Sequence, residues 1–164
     1  MTDERKKEFT LRITQANHSG LLLNTCDMEK VYIEDALAAY GRYEEGLQDI
    51  KEYLKNMNMA KKVHNELMSS INPEDENGRK VLNVLRFIYS KFIQSTVKRK
   101  PCELDRCQSM MDELRVGFEK LHEIDTEEPV MKNVHQIYAG LTYGKGTLNE
   151  SLEGVDYSSR GFQA

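Results

Sequence analysis

The sequence predicts an all-α protein: an antiparallel up-down-up-down four-helix bundle with a short N-terminal cap segment and a glycine-containing C-terminal tail. Three observations carry this. Apolar residues recur at steps of three and four through most of the first 125 positions, the period of a helix with one buried face. No stretch alternates with the period of two that a half-buried strand needs. Two strong breaks divide the periodic stretches, the polar turn at residues 72–78 (NPEDENG) and Pro101. Proline clashes with a helix interior, while Asn, Asp and Gly favour turns.

Taken in order, the elements are as follows. The segment before the bundle (MTDERKKEFTLRITQANHSG) contributes Phe9, Leu11 and Ile13 as a cap. The first bundle helix, near residues 19–40, carries Leu22, Cys26, Ile33, Leu37 and Tyr40 and ends near Gly41. The second, near 43–71, carries Tyr43, Leu47, Ile50, Leu54 and Met57, and its seam drifts through Ala60 and Leu67 to Ile71 because a straight helix slips against a seven-residue repeat. The third spans 76–99. Its cationic end, Lys98-Arg99-Lys100, suits a helix C-terminus, where cations meet the exposed carbonyls and the dipole. The fourth, near 102–124, has one continuous seam of Leu104, Cys107, Met111, Leu114, Phe118 and Leu121, with Glu103 and Asp105 at the positive end of its dipole.

The third helix departs from a simple seam. At 100° per residue, its apolar positions from Val81 to Val97 cover an arc of about 220°, against the roughly 100° that one packing face requires. Phe87 falls outside even that arc. Two readings are open. The helix is central and heavily buried, or one flank stays open as a groove for an apolar partner segment. On the second reading, Val84 and Phe87 should be more exposed than Leu85 and Phe92. The second helix adds the off-seam residues Met59 and Val63, so the candidate partner-binding set is Met59, Val63, Val84 and Phe87.

Composition bounds the function. At 164 residues the chain has length enough for one well-buried domain, residues 1–125, followed by a tail, residues 126–164. The longest apolar run, residues 36–40, is too short for a membrane span or a signal-peptide core, so a cytoplasmic protein without membrane insertion is expected. A net charge of -4 argues against nucleic acid as the main partner. Cys26, Cys102 and Cys107 cannot all pair with one another and read as reduced thiols. His18, His64, His122 and His135 are scattered singly, with no C-x-x-C or H-x-x-x-H spacing. His64 reads as a packed or half-exposed side chain, and His122 and Glu123 point apart on a helix. No metal, no cofactor and no catalytic constellation is therefore expected. A bundle enzyme would need inward carboxylates and histidines on facing helices, and the predicted seams are apolar.

The tail differs in composition. Residues 130–138 (VMKNVHQIY) could form a short amphipathic helix through Val130, Val134 and Ile137. Five of the ten glycines fall in residues 140–164, interleaved with Leu141, Tyr143, Leu148, Leu152, Tyr157 and Phe162. That stretch reads either as a disordered terminus or as a segment that folds back over the apolar groove, or over a second copy's groove in a homodimer, and competes with a client.

The helix end ELMSSI, the acidic turn with its glycine, the apolar third helix and the closing DELRVGFEKL together resemble the FliS-type flagellin export chaperones, over roughly residues 9–124. The resemblance lies in the pattern of four helices. It implies a cytosolic four-helix bundle that holds the C-terminal region of flagellin, prevents premature polymerisation and supports export, with export-gate components as further partners. The alternative is a helical adaptor or signalling module with another protein partner. Residues 126–164 take no function from the resemblance.

Overall fold

The computed structural model describes residues 2–130, and these form five helices and no strand: α1 (Asp3–Thr14), α2 (His18–Glu44), α3 (Lys51–Ser69), α4 (Glu76–Val97) and α5 (Leu104–Ile124). The expected short helix at 130–138 and the folded-back segment at 140–164 lie outside the described residues, save for Val130 itself. No helix among the described residues is long and apolar enough to cross a membrane.

Local chemistry explains most of the boundaries. Thr2, Asn17 and Asp75 cap α1, α2 and α4, their side chains accepting from the backbone N–H of Arg5, Gly20 and Gly78. The turn before α4 works only with glycine at 78, since a Cβ there would lie 2.1 Å from the Asn72 carbonyl oxygen.

The break between α2 and α3 lies later than expected. The helix passes straight through Gly41 and stops at Glu44, where Gly46 adopts φ +74°. Gly46 N–H donates to the Tyr43 carbonyl and Leu47 N–H to the Arg42 carbonyl, the paired bonds of a Schellman stop. A helical glycine costs about 1 kcal/mol, too little to end a well-packed helix, whereas a glycine with positive φ ends it outright. The cationic run ends α4 in the same way. Arg99 takes φ 52°, its N–H donates to Thr96, and Lys100 N–H donates to Ser95.

That shift corrects the expected seam of the second bundle helix. Tyr43 and Leu47 precede α3 and are 42% and 71% exposed. The buried face of α3 is Tyr53, Asn56, Met57, Ala60, Val63, His64 and Leu67. The seam of α5 holds at Leu104, Cys107, Met111 and Phe118, while Leu121 is exposed. In the N-terminal segment, Phe9 and Ile13 are buried and Leu11 is exposed, because residues four apart share a helix face and residues two apart do not.

One core joins the four long helices. It includes Cys26, Ile33 and Ala36 of α2, Tyr53, Met57 and Leu67 of α3, Leu85, Ile88 and Phe92 of α4, and Leu104, Cys107 and Met111 of α5. Ala36 and Ala39 of α2 are fully buried in it. Each long helix touches two others: α2 and α4 both pack against α3 and α5, and α1 lies on α2.

Candidate functional site

Two features stand out against this apolar core, one inside and one on the surface. Inside, Glu29 of α2 and His64 of α3 are both fully buried. His64 Nδ1 lies 2.9 Å from Glu29 Oε2, and its Nε2 donates to the Leu85 carbonyl of α4 at 2.8 Å. The imidazole is stacked at 5.9 Å on Tyr89 and meets the edge of Phe92 at 5.2 Å. Among the described residues, Glu29 Oε1 has no hydrogen-bond partner. Burial pushes the Glu29 carboxyl above its usual range, partly offset by the His64 hydrogen bond.

The expectation of purely apolar seams is therefore corrected at this point. A carboxylate and a histidine do face inward from adjacent helices. From sequence His64 reads as a packed or half-exposed side chain, and Glu29 is not singled out. The signal that could have found them is spacing: Glu29 stands three after Cys26 and four before Ile33, inside the apolar stripe. Among the described residues no cluster of three His, Cys, Asp or Glu side chains could hold a metal ion. Cys26, Cys102 and Cys107 are free thiols, and burial drives the Cys26 thiol well up and Cys107 up to about 11.

Two further polar joints fasten the outer helices. Asp27 takes Arg12 of α1 and Arg115 of α5, each at 2.6 Å. At the start of α2, Ser19 Oγ is 3.0 Å from His122 Nδ1, and Ser19 N–H donates to the Asp125 carboxylate. The Ser19 side chain first, and then the Glu127 backbone N–H, hold the Asp125 carboxyl below its usual range. His122 thus partners Ser19, not Glu123.

On the surface, α4 keeps an apolar flank toward α5. Val84 and Phe87 are half-buried, whereas Leu85 and Phe92 are fully buried. Two cations, Lys91 Nζ and the Arg106 guanidinium, each lie 5.2 Å from the Phe87 ring centroid. Glu103 pairs with both cations, and the Lys91 hydrogen bond holds its carboxyl below the usual range. On α5, half-buried Met110 and Leu114 and exposed Leu121 fall on the side that carries Glu103 and Cys107. They make one apolar strip on α4 and one on α5, and the two helices are joined beside Phe87 by the Phe87–Arg106 and Lys91–Glu103 contacts.

Of the four candidate partner residues, Val84 and Phe87 share the α4 strip. Met59 and Val63 do not join them. Both stand on α3, where Met59 is half-buried and Val63 is a core residue, 3% exposed. The expectation that Val63 lies off the buried seam is corrected: the seam of α3 is rotated, because its helix starts at Lys51 and turns Tyr53 and His64 toward α4. No family model, no curated protein and no solved structure matches the chain.

Proposed function

We propose that the chain is a protein-binding bundle whose long helices α2 to α5 run antiparallel in up-down-up-down order, and that it is a cytoplasmic export chaperone for flagellin. The order is supported by cross-helix pairs that run in opposite senses along neighbouring helices. Tyr53 bonds to Ser95 while His64 bonds to Leu85; Asp27 pairs with Arg115 while Lys30 pairs with Asp112; Phe87 meets Arg106 while Lys91 meets Glu103.

The observation that carries the binding reading is the half-buried apolar surface left by Val84 and Phe87 on α4 and by Met110 and Leu114 on α5, with exposed Leu121 on the same side of α5. An amphipathic client helix laid on such a surface would cover its own apolar stripe and exclude water from the Phe87 ring. Flagellin as the client rests on the resemblance over residues 9–124. A flagellin C-terminal segment exposes a coiled-coil seam in the monomer, and a surrogate partner keeps it unpolymerised without cofactor or turnover.

The test is titration of a fluorescent flagellin C-terminal peptide with the full chain, beside an unrelated amphipathic helix of equal length and charge. Selective binding is expected. Phe87→Glu should weaken it at least tenfold while the bundle still melts cooperatively, and Val116→Glu, at a position 49% exposed on another face of α5, should leave it unchanged. Equal binding of both peptides would replace the chaperone reading with the adaptor one. No binding of either would remove the groove.

A further inference from the structure

The Glu29–His64 junction fixes a proton count. A carbonyl oxygen only accepts, so the 2.8 Å contact with Leu85 requires a proton on His64 Nε2. The 2.9 Å contact between Nδ1 and Glu29 Oε2 requires one more proton between them, since two facing lone pairs would repel. The pair is either carboxyl with neutral imidazole or carboxylate with imidazolium. Both forms are neutral overall and differ only in where that one proton sits.

We propose that this pair is a proton-linked latch: the folded chain holds one shared proton at the α2–α3–α4 junction that the opened chain gives up to solvent at and above neutral pH. In the unfolded chain an ordinary Glu releases its proton near pH 4.3 and an ordinary His near 6.5. The unfolded pair therefore carries two titrating protons in acid, one between those values, and none above about pH 6.5. The folded pair carries one throughout. Folding then takes up a proton from solvent above about pH 6.5, and the junction loses stability as pH rises. Between the two values the count is equal and the junction is at its firmest. In acid, unfolding takes up a proton and stability falls again.

The other groups facing the pair do not carry this charge change. Cys26 on α2 and Cys107 on α5 both couple to Glu29, and both thiols are pushed up by burial, so they stay neutral through this range. From α4 come the Tyr89 ring, whose hydroxyl accepts from Asn65, and the apolar Phe92. The two thiols add a like-signed loss of stability only above about pH 8.5, where an unfolded cysteine ionises.

The test compares the full chain with Glu29→Gln. The amide can donate to Nδ1 and keep every hydrogen bond while carrying no titratable proton. From about pH 6.5 to 8.5 the folding equilibrium constant of the wild type should fall tenfold per pH unit relative to the variant. Parallel profiles would overturn the proposal. Should Glu29→Gln fail to fold, calorimetry of the wild type in buffers of different ionisation enthalpy decides: unfolding near pH 7.5 should release about one proton, and release of none would overturn the proposal.

Discussion

Phe92 and Phe87 stand five residues apart on α4 and face opposite fates. Phe92 is fully buried, edge-on to the His64 ring; Phe87 is half-buried, with Lys91 and Arg106 over its ring. The regions around them invert the usual arrangement of polar and apolar groups. The inner one encloses two ionisable side chains within the core, and the outer one leaves aliphatic and aromatic surface within reach of water. The inner groups are constrained by partners on three helices, so any loss there strands a buried polar atom. Removing an outer side chain strands nothing. The inner region should therefore govern stability and the outer one binding.

The sharpest way to break that comparison is His64→Ala. It removes the His64 hydrogen bond from Glu29 and the side-chain donor from the Leu85 carbonyl, and should cost about 3–5 kcal/mol in denaturant unfolding. A loss below about 1 kcal/mol would mean that the pair is hydrated in solution. A second measurement sets the two phenylalanines side by side. Phe92→Ala should cost about 3–5 kcal/mol and Phe87→Ala clearly less, about 1–2 kcal/mol, since only part of that ring leaves water. Equal losses would make Phe87 a core residue and remove the outer region as a binding surface.

Smaller effects sharpen the picture at its edges. Asp27→Asn unties α1 and α5 from α2 at once, yet the site is partly exposed, so only about 1 kcal/mol is expected. Its signature is local: amide exchange in α1 should quicken while that of α3 does not. The smallest effect is a gain. Arg99 holds φ 52° at the end of α4, a conformation glycine adopts without strain, so Arg99→Gly should raise stability by about 0.5–1 kcal/mol in the same unfolding assay. No gain there would mean that the Arg99 side chain makes a compensating contact.

Much of the fold was legible because it is local chemistry. Asp75 and Gly78 start α4 through one cap and one close backbone approach, both within a seven-residue turn. Lys98 to Pro101 end it through a Schellman pair followed by proline. The stripe of α5 was legible because Leu104, Cys107, Met111 and Phe118 form one seam with no polar interruption. The site was less so. Val84 and Phe87 stand out in the sequence through the wide apolar arc of α4, whereas Met59 and Val63 stand out only by lying off the expected seam of α3.

Sequence by itself determined that this chain is helical, where α4 and α5 begin and end, and which stripe of α5 is buried, since each follows from groups a few residues apart. Tertiary structure decided the rest. Gly41 and Gly46 are equally glycine, and only packing along α2 and the Gln48 side chain bonded back to the Ala39 carbonyl favour the later stop. Val63 became core and Leu47 surface when that stop fixed the rotation of α3. Glu29 and His64 lie thirty-five residues apart, and each alone reads as a polar interruption of a stripe. Burial of either alone would be prohibitive, so their place inside the core exists only once three helices bring a carboxyl, an imidazole and a backbone carbonyl within hydrogen-bond distance.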